Sequence, residues 1–501
     1  MRKPKEYIRN QTTYYPAISA ILIGLSRLPI HLNFLIFIGF IPLFKYFEKN
    51  RKFKELLFSG FSFSLFYTII TLHWINLVTV PGFFGIIILF TFYFTILFSL
   101  INLSWTYLNK LRFTVFILLW LSFEFLQNFG EFKFPWFNIG YSISEYLWLL
   151  QVAEIGGIYF IGSLIFLSNI LLYKLKSSPK KYFILLISFF LIWIGYGILR
   201  VKTLKQIKRN KKVAVIQPNI PQELKWNPSY REKAFEKYFK LSKQAKNKGA
   251  DLVILPESAI TVRIFHSSFY RNQIKQFVTK NKLSLFTGFP HFTIADSSHA
   301  EPYYHYNTAS LIDKRGNIKD PYYKNNLVPF GERFPFLDIF PFMWDIHLGQ
   351  ANFTPGKDLK YYKINDLKFS PLICFEIAFP KMTLKMSKAN TDFIINITND
   401  AWFGQSSGAY QHAAITRFRA AETRTQIFRS ANTGISLIVN PDGSYNDKIE
   451  LMKEGFIISK IITVQRKSIY VKYLYWLPYF ILILSAIFLL FLLLIIMRNT
   501  L

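Results

Sequence analysis

The chain of 501 residues contains a single cysteine, Cys374. One cysteine cannot close an internal disulfide, so such cross-links are excluded as a source of stability. Acidic residues are also scarce: 29 aspartates and glutamates stand against 60 lysines and arginines, a formal net charge of +31. Internal repeats and low-complexity segments do not occur outside the long apolar runs. Cys374 is therefore either a small core residue, the commoner role in an apolar run, or a nucleophile.

Apolar side chains are abundant and make up 51% of the residues. With so strong a positive charge, this composition is typical of a membrane protein with basic flanks and a large polar domain. Much of the basic excess borders apolar segments, which favours anionic lipid headgroups over nucleic acid as the partner. The lysines between 205 and 212 are expected to form a solvated surface or tether rather than a specific lipid site.

Eight apolar stretches are predicted to cross a membrane, because a transmembrane helix needs roughly 20 predominantly apolar residues. In chain order, the predicted spans are Tyr15–Pro29, Ile30–Phe47, Leu56–Trp74, Phe83–Trp105, Phe113–Gln127, Ile155–Tyr173, Tyr182–Leu199 and Tyr473–Met497. Glu124 lies inside the fifth span. An intramembrane carboxylate is commonly functional, but we expect Glu124 to be solvated near the outer end of its span.

The basic residues between the spans predict their orientation. Basic turns follow the second, fourth and sixth spans, whereas the turn at 76–82 carries no charge. Because cytoplasmic loops are enriched in lysine and arginine, both termini are predicted to be cytoplasmic, and the basic N-terminus to be an uncleaved anchor. The predicted domains are a membrane domain with seven helices at 1–200, an outer domain at 201–471 and a C-terminal transmembrane helix at 472–501.

In the outer domain, short buried-strand patterns alternate with helical patterns, which predicts an extramembrane α/β domain beside the multi-span α-helical membrane domain. The predicted strands are Val213–Gln217, Asp251–Pro256, Leu283–Phe289, Thr308–Ile312, Phe369–Phe375, Phe393–Ile397 and Ile435–Val439. The predicted helices are Tyr230–Lys248, Phe269–Asn281 and Gln411–Arg429.

Three residues of the outer domain have the chemistry of a thiol acyl-transfer site. Cys374 ends one predicted strand, Glu257 follows another, and Lys324 lies in a loop. A carboxylate can take the thiol proton, and an ammonium can stabilise a thiolate and an oxyanion. Supporting roles, an oxyanion-hole N–H and two carboxylates that hold the ammonium, are assigned to Phe375, Glu332 and Glu376. Each residue type on its own is more often a core, cap or surface residue, so these residues alone support the site only weakly.

The sequence around these residues resembles the motifs of the carbon–nitrogen hydrolase (nitrilase) superfamily: Leu255-Pro256-Glu257, residues 324–332 and Ile373-Cys374-Phe375-Glu376. Together with the predicted spans, they resemble its membrane branch, the apolipoprotein N-acyltransferases. Further stretches match in order: Phe134-Pro135-Trp136, Gly140-Tyr141-Ser142, 218–222, Lys225-Trp226, 399–404, Gln411-His412 and 429–434. Phe375 departs from the family, which often has tyrosine there; the backbone N–H is unaffected.

The resemblance implies a nitrilase-like α-β-β-α sandwich and a two-step reaction without a cofactor. Cys374 would take an acyl chain from the sn-1 position of a phospholipid, typically phosphatidylethanolamine. The chain would then pass to the α-amine of the diacylglyceryl-cysteine of an apolipoprotein. Glu257 would be the general base and Lys324 the oxyanion stabiliser. The resemblance further implies a bacterial inner-membrane protein with a periplasmic catalytic domain, and we expect it to be a monomer.

The stretch 334–348 is too aromatic for an ordinary surface loop, which indicates a lid or a membrane-dipping arm; the alternative is a loop buried on the α/β core. The predicted substrate-binding residues are Trp226, Asn307, Trp402, Trp344 and Phe342, with an aromatic core as the default for the tryptophans. No metal is expected, because metal-ligand spacing is missing among His291, His299, His305 and His347.

Two other functions use the same sequence features. A membrane-anchored amidohydrolase would employ the same three residues but pass the acyl group to water; the spans argue against it, because a soluble amide needs no bilayer. A transporter or scaffold with a catalytically dead outer domain is the third possibility, and the intact set of Glu257, Lys324 and Cys374 argues against it.

Overall fold

The computed structural model describes residues 14–296, 301–345 and 351–500. The chain forms two compact units: one ends at Thr203 and resumes at Tyr473, and the other is Leu204–Lys472.

The described part of the first unit is helical, and five of its helices are long and apolar enough to cross a membrane, which indicates a membrane protein. These are Phe53–Thr71, Val80–Tyr107, Ala153–Lys174, Pro179–Thr203 and Leu477–Asn499. Shorter helices lie where the three other spans are predicted: Tyr15–Leu25, Asn33–Phe37, Ile41–Phe47 and Arg112–Leu126. At 1.5 Å per residue even the longest of these reaches only about 22 Å, short of a hydrocarbon core of about 30 Å. The count of eight spans therefore stays a prediction.

Aromatic rings and close helix contacts build the interior of this unit. The ring centroid of Phe40 lies 4.9 Å from that of Trp120 and 4.6 Å from that of Phe166. Gly60 lets two helices approach closely, because a Cβ there would lie 2.8 Å from the backbone nitrogen of Thr95. Small residues at helix contacts are a common way for membrane helices to pack.

Two buried charged side chains hold the segment that follows the helix Arg112–Leu126. Glu124 is fully buried, so the expectation that it is solvated was wrong. Its Oε1 accepts the backbone N–H of Ile139 at 3.0 Å. Arg27 is also buried and donates to the carbonyls of the two residues Trp136 and Asn138, at 3.0 and 3.2 Å. These hydrogen bonds offset the cost of placing polar groups in an apolar interior.

The described part of the second unit contains two six-stranded sheets, ordered β12-β1-β2-β3-β4-β5 and β11-β10-β9-β8-β7-β6. In chain order, β1 to β12 are Gln206–Gln217, Leu252–Ile254, Ser284–Ile294, Tyr303–Ile312, Tyr322–Tyr323, Tyr362–Ile364, Leu367–Ile373, Phe393–Thr398, Gln426–Ala431, Ser436–Val439, Lys448–Ile449 and Gly455–Val464. Each sheet has three neighbouring parallel strands, β1 to β3 and β7 to β9, flanked by antiparallel ones. Parallel strands are buried on both faces, which explains their nearly continuous apolar runs.

The two sheets pack face to face between helices. Val215 and Ile254 of the first sheet share one buried cluster with Phe369 and Ile395 of the second. The other face of the first sheet is covered by Arg231–Asn247 and Ser268–Asn281, and the helix Ser407–Thr423 covers the second sheet. This order of layers agrees with the α-β-β-α sandwich that the resemblance implies.

The predicted helix Gln411–Arg429 is wrong in its last six residues. The observed helix ends at Thr423, where Arg424 adopts a left-handed conformation with φ of +53°, and the chain then enters β9. All six residues of β9 are buried. A short, fully buried strand has no alternating pattern, so periodicity cannot separate it from a buried helix.

Candidate active site

Two of the three candidate catalytic residues, Glu257 and Cys374, lie beyond the carboxyl ends of parallel strands, where α/β domains commonly place reactive groups, and Lys324 directly follows β5. β2 ends shortly before Glu257, and β7 ends directly before Cys374. Asn399 follows the end of β8, and its backbone N–H donates to Glu257 Oε2 at 2.8 Å. This hydrogen bond joins strand ends from the two sheets, so the sandwich itself brings the residues together.

Cys374 occupies a sharp corner between β7 and a short helical turn, Cys374–Ala378. Its φ is +53°, a left-handed conformation that costs a non-glycine residue roughly 1–3 kcal/mol. Its carbonyl accepts a hydrogen bond from Asn396 Nδ2 at 3.4 Å and lies 3.2 Å from His412 Nε2. These contacts hold the backbone of the strained corner.

The Glu257 carboxylate is buried and engaged on both oxygens. Its Oε1 accepts from Asn307 Nδ2 at 2.7 Å and lies 3.6 Å from Lys324 Nζ, while its Oε2 accepts the Asn399 N–H. The residue is 6% exposed, yet every contact is a donor or a cation. Such an environment fixes the orientation of a carboxylate that has to meet a proton in one direction.

Lys324 is the cation of the site. Its side chain is 1% exposed, and Nζ lies 2.8 Å from the Glu332 carboxylate. Burial alone would lower the pKa of Lys324, but the charges of Glu332 and Glu257 outweigh it and raise the pKa above that of a free lysine. Lys324 is therefore an ammonium throughout the physiological pH range.

The thiol of Cys374 is protonated in the resting site. Burial, with the negative charge of Glu257, raises its pKa well above that of a free cysteine, and Lys324 only partly opposes this. The three residues are thus close enough for their charges to act on one another. Because the thiolate is the nucleophilic form, attack requires a base that takes the proton as the new bond forms.

Glu376 ties the loop of Lys324 to the corner of Cys374. Its carboxylate accepts the Tyr322 hydroxyl at 2.8 Å, the N–H groups of the two residues after Lys324 at 2.7 and 3.1 Å, and the Ile373 N–H at 2.8 Å. Burial raises the pKa of Glu376 to about 6, although the hydrogen bonds oppose the shift. Both predicted supports thus contact the Lys324 loop: Glu332 at the ammonium and Glu376 at the backbone.

Three of the predicted substrate-binding residues, Asn307, Trp226 and Trp402, differ in burial. Asn307 is buried, and its Nδ2 donates to Glu257 and also to Glu332 Oε1 at 3.0 Å, so it bridges the two carboxylates. Trp226 and Trp402 are about half exposed, which leaves them available to a ligand. Phe375 is buried against the ring of Phe379, and its N–H as an oxyanion donor stays a prediction.

The aromatic stretch 334–348 is described up to residue 345, so its last three residues lie outside the described chain. Leu337 is buried, whereas Ile339 and Phe342 are 66% and 62% exposed. Trp344 is partly buried, with the Arg333 guanidinium 5.8 Å from its ring. The stretch is therefore partly buried and presents other apolar side chains to its surroundings.

Sequence reasoning gave no role to a buried charged network behind Cys374. Asp400 accepts from Arg429 at 2.7 Å and from Thr398 Oγ1 at 2.8 Å, and it lies 2.9 Å from His412 Nδ1. Burial alone would raise the pKa of Asp400, but Arg429 and His412 hold it well below its usual range. An arginine inside an otherwise apolar buried run was the sequence signal for this network.

Part of this network also has the composition of a metal site. Among the described residues, Cys374, Asp400 and His412 place ligand atoms within 4.8 Å of one another. However, the Asp400 carboxylate is already paired with the Arg429 guanidinium, and both ring nitrogens of His412 have partners. These contacts explain the cluster as a support for the Cys374 carbonyl, and the absence of a metal stays a prediction.

Two families of known proteins match two successive parts of this chain. Residues 212–469 match the carbon–nitrogen hydrolase family, and residues 19–171 match the apolipoprotein N-acyltransferase N-terminal domain. The chain is 35% identical over 367 residues to the apolipoprotein N-acyltransferase of Rickettsia prowazekii, covering 71% of this chain and 72% of that protein. It is 33% identical over 368 residues to that of Geobacter metallireducens, covering 72% and 70%.

A longer match extends over most of both chains. The apolipoprotein N-acyltransferase of Rickettsia bellii is 30% identical over 464 residues, covering 89% of this chain and 91% of that protein. Among solved structures, an amidase from Nesterenkonia sp. covers 54% of this chain and 95% of its own at 14% identity, with a TM-score of 0.38, too weak a likeness to bear on the assignment. The chain therefore belongs to the apolipoprotein N-acyltransferase family, and it is an acyltransferase with a carbon–nitrogen hydrolase domain.

Proposed function

We propose that this acyltransferase moves a fatty acyl chain from a phospholipid to the N-terminus of apolipoproteins by way of a thioester on Cys374. The donor is the sn-1 acyl ester of a phospholipid such as phosphatidylethanolamine. The acceptor is the α-amine of the diacylglyceryl-cysteine. The enzyme acts as a monomer and without a cofactor.

In the first step, Glu257 takes the thiol proton as Sγ attacks the acyl carbonyl carbon. The carbonyl oxygen becomes an oxyanion, which Lys324 and the Phe375 N–H stabilise. The C–O bond to the glycerol then breaks, and Glu257 returns its proton to the departing oxygen. The products are a thioester on Cys374 and a lysophospholipid.

In the second step, the acceptor amine attacks the thioester carbonyl, and Glu257 takes a proton from the attacking nitrogen. The same donors stabilise the second oxyanion. The C–S bond breaks, the sulfur regains a proton from Glu257, and the acyl chain leaves as an amide. One set of residues thus serves both half-reactions, with Glu257 alternating between base and acid.

One observation carries the proposal: a protonated thiol on a strained corner shares a buried site with a fixed carboxylate and a permanent ammonium. A core cysteine needs none of these neighbours. The five long apolar helices favour lipid-borne substrates over soluble amides.

A turnover assay separates this function from hydrolysis. The full-length protein in detergent receives phosphatidylethanolamine vesicles and a diacylglyceryl lipopeptide. We expect an N-acylated lipopeptide and lysophosphatidylethanolamine in equal amounts. Free fatty acid as the only acyl product would instead indicate a hydrolase, and the same assay with an N-acetylated lipopeptide serves as the control, because it lacks the attacking amine.

We further propose that the protein lies in a bacterial inner membrane with the unit Leu204–Lys472 on the periplasmic side. The single native cysteine makes this testable in a Cys374→Ala background. Lys248→Cys should react with a membrane-impermeant maleimide on intact cells, and Lys110→Cys, in a predicted cytoplasmic turn, only after permeabilisation. The reverse labelling pattern would refute the orientation.

The exposed aromatic stretch is proposed to contact lipid. Replacing both Phe342 and Trp344 by serine should lower turnover of vesicle-borne phospholipid by about tenfold or more, since each buried aromatic contributes roughly 1.5–3 kcal/mol. Turnover of a water-soluble short-chain ester and the melting temperature should stay unchanged. Phe269→Ser, at an exposed phenylalanine on a helix of the same unit, is the matched control. Equal loss with both donors would contradict a lipid-contacting role.

A further inference from the structure

A second buried lysine lies beside the site. Lys225 ends the short helix Gln222–Lys225 and is only 4% exposed. Its Nζ donates to the backbone carbonyl of Glu257 at 2.8 Å. The charges of Glu257 and Cys374 both act on it. Lysine is almost never buried so completely unless it is paired, so its position next to a reactive carboxylate requires an explanation.

The chain places Lys225 there through a series of specific hydrogen bonds. The N–H of Ile220 donates to Asn432 Oδ1 at 3.1 Å. Gln222 Oε1 accepts from Asn399 Nδ2 at 2.9 Å, and the backbone of the same Asn399 donates to Glu257. The segment that carries Lys225 is therefore fixed to the loop that also orients the Glu257 carboxylate.

The charges of the site explain what a second ammonium adds. Lys324 lies against two carboxylates, Glu257 and Glu332, so this group alone carries one excess negative charge. Transfer of the thiol proton to Glu257 as Sγ attacks keeps that excess, because the negative charge passes from the carboxylate to the oxyanion. In a site withheld from water, an uncompensated charge is costly, and a second cation removes the excess.

We infer that Lys225 is a positioning residue for acyl transfer: its ammonium fixes the Glu257 backbone and supplies a second positive charge while the thiol proton passes to Glu257. This inference rests on the function proposed above for Cys374 and Glu257. It gives a role to a residue that the three-residue mechanism leaves unused.

The charge of Lys225 depends on pH near neutrality. Burial lowers the pKa of Lys225 to about 8, although Glu257 and Cys374 oppose the shift. The group is charged below that pH and neutral above it, so its contribution is lost as pH rises through about 8. This loss forms the alkaline limb of the pH–rate profile. The pKa values of Lys324 and Cys374 are both raised, so these two groups do not produce the alkaline limb.

Other charged groups near Lys225 are exposed to solvent or paired. Glu223, on the same short helix, is exposed to solvent. On the helix Arg231–Asn247, Lys237 donates to the Pro218 carbonyl at 3.0 Å and pairs with Glu454 at 2.8 Å. Its own charge is therefore matched by a carboxylate.

The test measures the rate of thioester formation on Cys374 from phosphatidylethanolamine vesicles, without acceptor, between about pH 6 and about pH 10. The full-length wild type should lose rate above about pH 8. Lys225→Met should be at least about tenfold slower at neutral pH and should lack this limb. Lys225→Arg should recover part of the rate and move the limb up by about one pH unit or more, because a guanidinium stays charged.

Lys237→Met is the matched control, since it also removes a lysine that donates to a backbone carbonyl, and it should keep the wild-type profile. A wild-type rate and limb in Lys225→Met would overturn the inference. If Lys225→Met does not fold, an unchanged limb in folded Lys225→Arg would overturn it instead. A wild type that forms no thioester at any pH would refute the proposed function itself, whatever the Lys225 variants do.

Discussion

Replacing Lys324 by methionine is expected to abolish acyl transfer and to lower the free energy of unfolding by about 3–5 kcal/mol. The substitution leaves the buried carboxylates of Glu257 and Glu332 facing each other without their shared cation. It also removes the group proposed to stabilise both oxyanions. Urea unfolding of the full-length protein in detergent, followed by tryptophan fluorescence, measures the first effect, and the vesicle assay measures the second.

The matched control is Lys319→Met. Lys319 pairs with Asp313 at 3.3 Å, but its side chain is 49% exposed. An exposed pair contributes about 0–1 kcal/mol, so this variant should unfold close to the wild type and keep full activity. If Lys324→Met were as stable and as active as Lys319→Met, the structure of the site would be wrong.

Replacing Glu257 by glutamine is expected to slow both half-reactions by roughly 10²- to 10⁴-fold while the protein stays folded. Glutamine keeps the shape and one oxygen that can accept from Asn307 or from the Asn399 N–H. It cannot take the thiol proton, and the raised pKa of Cys374 makes that proton hard to lose. Single-turnover acylation followed by addition of lipopeptide measures the two steps separately.

The corresponding control is Glu332→Gln. Glu332 contacts the same ammonium and accepts from the same Asn307 amide. If Glu257 is the base and Glu332 only holds Lys324, the Glu332 variant should lose less rate in each half-reaction. A larger loss in Glu332→Gln than in Glu257→Gln would exchange the two roles.

How far the sequence predicted this molecule depends on the kind of signal. Strands such as Phe393–Thr398 are continuous apolar runs, and the long uncharged helices are equally plain, so both could be predicted. β12, from Gly455 to Val464, was missing from the prediction, and its place in the first sheet depends on pairing with β1 far away in sequence. Non-local pairing leaves little trace in local periodicity.

The site likewise has features that the sequence predicts and features that it does not. The sequence motifs pointed to Glu257, Lys324 and Cys374, and the first and last of these follow the ends of parallel strands. Residue types and spacing gave no indication of the left-handed backbone of Cys374, because φ is set by the packing of the corner. Asn307 was expected to meet substrate, whereas the structure places it between two carboxylates. Burial of Lys225 likewise depends on contacts with segments some 170 and 210 residues along the chain.

The central claim is that Cys374 carries the acyl chain, and intact-mass spectrometry of the full-length protein tests it most directly. After exposure to phosphatidylethanolamine vesicles without acceptor, the protein should gain the mass of one acyl chain. Peptide mapping should place the adduct on Cys374, hydroxylamine or a diacylglyceryl lipopeptide should remove it, and Cys374→Ala should never acquire it. An unmodified protein that still turns over phospholipid, or an adduct on another residue, would contradict the account.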